Sequence, residues 1–310
     1  KEHNALGIPP VEKSIASAND HPILRIAMWL AVFLLIAALI YLAERLISYN
    51  GLSGLVPVLV ETLQSKVFWT AVAIGLIAQV IDGALGMAYG ITSTTFLLAS
   101  GASPAVASAS VHLAEVFTTG VSGISHVKFG NVNKSLFLKL LIPGIVGAVV
   151  GVFLLSAVDG KILKPFISIY LFGMGIYILS KVFRKITRNN KLPRHVAKLA
   201  AFGGFVDTIG GGGWGPVVTT TLISSGHEPR TTIGTVNFAE FFLTFASAIA
   251  FSLLIGVGPW PIVAGLVLGG LFAAPFAAYL CKILETRTLL ILVGSLISLV
   301  SLFNLYQTFS

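Results

Sequence analysis

Residues 82–120 and 207–245 align at a constant offset of 125 without a gap, and 14 of the 39 aligned positions are identical. The identities are Asp82/Asp207, Gly86/Gly211, Gly90/Gly215, Thr94/Thr219, Thr95/Thr220, Leu97/Leu222, Ser100/Ser225, Gly101/Gly226, Pro104/Pro229, Val111/Val236, Ala114/Ala239, Glu115/Glu240, Phe117/Phe242 and Thr119/Thr244. Chance matches between hydrophobic segments fall mostly on Leu, Ala and Val. Here most fall on polar residues, Gly and Pro. A chain carrying this pattern twice is constrained to fold as two related halves, each built around an acid, a glycine-rich break and a second acid.

The solvent for those halves follows from composition. Of 310 residues, 55% are hydrophobic and 10% charged, with a mean hydropathy of +0.92. That lies in the range of polytopic membrane proteins, because too little polar surface exists to cover a soluble core. Residues 23–46 hold an apolar stretch about as long as the roughly 20 residues that a bilayer-spanning helix needs. The expected fold is an all-α polytopic membrane protein, with an N-terminal span followed by two inverted repeats. The expected organisation is a cytoplasmic segment over 1–22, an extra transmembrane helix over 23–46, repeat 1 over 66–182, a basic cytoplasmic loop over 183–195 and repeat 2 over 196–310.

The net charge of +8 is concentrated in Lys181, Arg184, Lys185, Arg188, Lys191, Arg194 and Lys198, and no acid occurs between Lys161 and Val206. Between hydrophobic spans such a run marks the cytoplasmic side rather than a nucleic-acid site. The expected location is therefore the cytoplasmic (inner) membrane. Cys281 is the lone cysteine, which excludes disulfide frameworks and thiolate metal sites. No HExxH, GxSxG or Walker A sequence is present, so the chain reads as a non-enzyme without metal or cofactor.

In each half the first two apolar segments, 66–81 with 91–100 and 196–206 with 216–225, are too short to cross alone. They flank the breaks Asp82-Gly-Ala-Leu-Gly-Met-Ala-Tyr-Gly90 and Asp207-Thr-Ile-Gly-Gly-Gly-Gly-Trp-Gly215. Each pair is either a discontinuous span or a re-entrant hairpin. Re-entrant pairs leave three full spans per half, so the halves point in opposite directions, as in many secondary transporters. Pairs that cross once would make the halves parallel. The placement of Lys128, Lys134, His227, Arg230, Lys282 and Arg287 on one side favours the re-entrant form.

Ionisable groups at membrane depth are costly and mark functional sites. Asp82, Glu115, Asp207 and Glu240 are such groups, expected to couple or to structure the site. Asp82 and Asp207 end a half-helix, where the dipole disfavours an anion, and are expected to fold across and accept N–H groups of the break. The half-helices that begin near Gly90 and Gly215 present unpaired N–H groups, as an anion site requires. The glycines, Gly213 included, let a ligand approach the backbone, or simply let helices pack closely. Tyr89 and Trp214, at equivalent positions, either wall a ligand pocket or pack within the bundle. Thr94, Thr95, Thr219 and Thr220 can donate to an oxyanion or bond back to their own helix.

The following span carries a polar stripe at helical spacing, Ser108, His112, Glu115, Thr119 and Ser122, matched by Ile233, Asn237, Glu240, Thr244 and Ser247. Glu115 and Glu240 would repel an anion if open and charged, so they are expected to be protonated or bonded to the breaks. His112 and its counterpart Asn237 are candidate ligand-binding residues, and His112 can bind an anion, relay a proton or serve as a core hydrogen-bonding group.

Taken with the paired break sequences Ala78 to Gly90 and Gly203 to Gly215, the Thr-rich half-helices and the Pro-containing turns, the duplicated halves resemble the sulfite exporter TauE/SafE family of anion permeases. The resemblance spans 67–309. The first copy departs from it in having Ala78 and Gln79 where the second has Gly203 and Gly204. The resemblance implies a secondary transporter that exports sulfite or small organosulfonates such as sulfoacetate from the cell. The partner so implied is a small sulfur-containing anion; the apolar composition adds the lipid bilayer, and the titratable groups at membrane depth add protons moved through His112 or a glutamate. A passive channel, or a transporter of another anion such as a carboxylate, remains a reading of the same residues, although the Asn-Pro-Ala breaks of aquaporin-like pores are absent.

Overall fold

A computed structural model describes residues 21–85, 88–180, 195–225, 227–256, 259–283 and 286–309. The N-terminal segment, the basic loop up to Arg194 and the Gly86-Met87 portion of the first break lie outside the described residues. Every regular element described is helical. Helix α1 spans Pro22–Gln64, α2 Lys66–Leu85, α3 Tyr89–Ala99, α4 Pro104–Lys128, α5 Lys134–Ala157 and α6 Gly160–Ser180. In the second half α7 spans Val196–Gly210, a π-turn Gly215–Thr219 leads into α8 Thr220–Ser224, and α9 Pro229–Leu254, α10 Trp260–Ile283 and α11 Thr286–Phe309 complete the chain.

Four of these helices contain stretches long and apolar enough to cross a bilayer: Pro22–Glu44, Lys134–Ala157, Gly160–Ser180 and Thr231–Leu254. The protein is thus an all-α, multi-pass membrane protein. The extra N-terminal helix does not stop near residue 46 but continues to Gln64 with Pro57 inside it. It then meets α2 at Ser65 with a bend of 67°. Only 6% of its apolar window is buried, and Ile26, Trp29, Phe33, Leu39 and Ile40 are exposed along it. Such a surface suits acyl chains and little else.

The starts of α4 and α5 explain their sharp boundaries. Ser103 accepts the Val106 N–H at 3.4 Å with Pro104 in the first turn, and Asn133 accepts the Leu136 N–H at 3.0 Å. Both are side-chain caps that satisfy amides left over at a helix N-terminus.

Packing between the halves is reciprocal. Helix α2 lies along α10, and its counterpart α7 lies along α5, the counterpart of α10. The α4–α9 and α6–α11 pairs join equivalent helices, and α5–α9 mirrors α10–α4. Small residues make the exchanged contacts close. A Cβ on Gly269 would stand 2.1 Å from the Val72 carbonyl oxygen, and one on Gly204 would stand 2.2 Å from that of Gly144. With no hydrophobic drive between helices in lipid, such backbone approach is a main source of helix association. Gly144 and Gly269 are themselves 125 residues apart, so the duplication offset persists beyond the polar motif.

Candidate site at the paired helix breaks

The local geometry of each break is set by its first acid. Asp82 sits in the last turn of α2, and its Oδ1 accepts the N–H groups of Ala88 at 2.9 Å and Tyr89 at 3.4 Å. Asp207 in α7 does the same, with Oδ1 accepting from Gly213 at 2.7 Å and Trp214 at 2.9 Å. Equivalent carboxyl groups thus hold equivalent amides. In the second break Gly211 has φ +64° and Gly212 φ +145°, conformations that exclude a Cβ at low strain, and the Gly212 N–H returns to the Asp207 carbonyl at 2.8 Å. Pro216 then has no N–H to offer, and Gly215–Thr219 winds as a π-turn.

The two breaks touch. A Cβ on Gly90 would lie 2.7 Å from the Gly212 α-carbon and 2.9 Å from Glu115 Oε1. The Thr94 hydroxyl of the first half donates to the Gly211 carbonyl of the second at 2.5 Å, and Tyr170 of α6 donates to the Gly212 carbonyl at 3.2 Å.

Between the breaks lies a cavity of about 40 Å³. One water needs roughly 10–15 Å³ on this measure, so it has room for a few. Its wall contains Asp82, Ala88, Tyr89, Gly90 and Ile91 of the first break and Asp207, Gly212, Gly213, Gly215 and Pro216 of the second. Gln79 of α2, Glu115, Thr118, Thr119 and Ser122 of α4, and Asn237 and Glu240 of α9 complete it. Four carboxylates face this space, and no lysine or arginine is among its described lining residues. Among the described residues no group of three or more His, Cys, Asp or Glu side chains is arranged to hold a metal ion.

Several residues expected at a ligand are elsewhere. Trp214 is fully buried in the bundle, with its indole edge against Gly144, and Nε1 donates to the Val236 carbonyl at 3.1 Å. It is not part of the cavity wall, whereas Tyr89, its counterpart, is. Thr94 is spent on Gly211, and Thr95 bonds back to Ile91 O at 2.7 Å, so neither faces the cavity. Thr219 and Thr220 are buried outside the wall. His112 is also outside it. Its Nδ1 lies 2.8 Å from the Ser108 carbonyl and its Nε2 3.1 Å from Asp207 Oδ2. The His112–Asp207 contact therefore joins the two halves.

The amides nearest each acid are also committed. Ala88, Tyr89, Gly213 and Trp214 donate to the aspartates and Gly212 to the Asp207 carbonyl, so the amides left facing the cavity belong to Gly90, Ile91 and Gly215. Sequence reasoning missed Thr118 and Tyr170, which no repeat or stripe marks, and treated Gln79 only as a departure from a glycine pattern.

Residues 71–304 match the family described as Sulfite exporter TauE/SafE. The chain belongs to the TauE/SafE family of membrane transporters. It is 45% identical over 237 residues to the "Probable membrane transporter protein YtnM" of Bacillus subtilis (strain 168), covering 74% of this chain and 79% of that protein. No solved structure matches it. TauE/SafE proteins are transporters rather than enzymes, and at the level of the family this is a membrane anion transporter.

Proposed function

We propose that this TauE/SafE protein is a secondary transporter that exports small sulfur-containing anions, sulfite or a sulfonate such as sulfoacetate, by alternating access around the cavity between the breaks. The observation that carries the reading is the meeting of two helix breaks, one from each half, with half-helix N-termini at a shared polar space. Backbone N–H groups at such termini coordinate oxyanions, and irregular backbone at membrane depth belongs where it lines a cavity. The reciprocal helix pairing supports two inverted repeats, related by an axis through the α4–α9 and α6–α11 contacts. On this reading Gly90 and Gly215 offer backbone to the anion, Tyr89 and Asn237 shape its pocket, and Asp82 and Asp207 keep the breaks folded. The N-terminus and the 183–195 loop face the cytoplasm.

At about 40 Å³ the cavity admits an ion only after dehydration and some withdrawal of Tyr89 or Glu115. That matches an occluded step between two open ones. The test is flux of labelled sulfite and sulfoacetate in proteoliposomes. Saturable uptake with counter-transport is expected. Flux that never saturates would mean a channel, a preference for carboxylates would change the cargo, and no flux of either anion would end the reading.

A further inference from the structure

The reading of an anion at this cavity leaves hydrogen bonds unaccounted for. Glu115 is 3% exposed on the inner face of α4, and its buried Oε2 has no hydrogen-bond partner among the described residues. Two more wall residues, Asn237 and Gln79, leave Oδ1 and Oε1 without partners among the described residues. All three atoms are acceptors. An incoming oxyanion brings only more acceptors, and acceptors cannot satisfy one another. The amides of Asn237 and Gln79 can turn to offer N–H groups, but a carboxylate can donate only when protonated. Charge makes the same demand. Asp82, Asp207 and Glu240 all face Glu115, with no described lysine or arginine in the wall.

The other titratable groups around the cavity are committed. Asp82 and Asp207 each hold two amides, and Asp207 is paired with His112. Tyr89 donates to the Leu266 carbonyl at 3.1 Å and Tyr170 to that of Gly212. His112 has both ring nitrogens engaged away from the wall. Glu115 and its repeat counterpart Glu240 remain, reaching the cavity from helices α4 and α9, which pack on each other.

We infer that the anion binds together with protons, and that Glu115 and Glu240 are the pair that takes them up and donates a hydrogen bond to the anion. Coupling then resides in two glutamates at the interface between the halves. His112 serves as a positioning residue for the Asp207 lock. This inference rests on the anion reading, but its test separates the two.

Sulfite and sulfoacetate are titrated calorimetrically into the purified full chain, at one pH, in two buffers of different ionisation enthalpy. The expected result is binding with unequal heats, reporting proton uptake, and an apparent affinity that falls about tenfold per pH unit for each linked proton once the free pair is ionised. Equal heats overturn the proposal and leave the anion reading intact. A heat that depends on added sodium but not on the buffer also overturns it. No binding of either anion ends both readings. In E115Q/E240Q the uptake should vanish while anion still binds. In H112N it should persist, and the opposite pattern would assign the proton to His112. The wild-type buffer comparison decides the matter even where a variant fails to fold.

Discussion

The two breaks begin from the same lock and end with different neighbours. In both, an aspartate Oδ1 holds the two amides found six and seven residues onward. Asp207 is 1% exposed and has His112 across the interface, whereas Asp82 is half-buried and Asn237, the repeat counterpart of His112, has no charge to offer. The aromatic residue after each lock has likewise diverged. Tyr89 stands in the cavity wall and Trp214 fills the bundle behind it. The two copies thus share the aspartate lock and the wall glutamates but differ in the aromatic residue and in the partner of the lock.

The largest expected effect is at Asp207. Asp207→Ala strands two buried amides and His112, at a cost of about 3–5 kcal/mol, and should sharply lower thermal stability in detergent. Asp82→Ala should cost about 1–3 kcal/mol. Equal losses would break the comparison. Next comes Gly212→Ala, which puts a Cβ within 2.2 Å of the Ile91 nitrogen at a φ of +145°. It should cost about 3 kcal/mol through overpacking and strain, and abolish transport, whereas Gly101→Ala meets no atom within 4 Å and should suffer only the strain of its φ of +96°.

The aromatic pair sharpens the difference further. Tyr89→Phe removes one hydrogen bond to a carbonyl and should cost about 1 kcal/mol in stability, whereas Trp214→Phe also leaves a cavity where the indole packs on Gly144 and should cost about 2–3 kcal/mol. In the flux assay only Tyr89→Phe should also shift the KM for anion, because only Tyr89 faces the cavity. A KM shift in both would return Trp214 to the wall. The smallest effect is expected from Thr95→Val, which loses a bond to its own helix, under about 1 kcal/mol, with transport unchanged.

Much of the site was legible because membrane burial makes polar residues expensive. Asp82, Glu115, Asp207 and Glu240 stood out as acids in apolar sequence, and all four reach the cavity. The stripe on α4 was readable as a face but not as two destinations. Glu115, Thr119 and Ser122 point into the cavity, while Ser108 and His112 turn toward α7, where the Ser108 hydroxyl donates to the Thr208 carbonyl at 2.6 Å. A helical face is wide enough to meet two neighbours, and spacing alone does not say where one ends.

The sequence by itself determined the solvent, the duplication and the pairing of each aspartate with the amides after its break. Those follow from composition, from a fixed offset and from short loops whose unpaired N–H groups need a nearby acceptor. Only the tertiary structure decided that the breaks touch, that His112 meets Asp207 across the halves, and that Tyr89 and Trp214 part ways. These are contacts between residues tens to hundreds of positions apart, fixed by how closely glycine-lined helices approach, which no local pattern encodes.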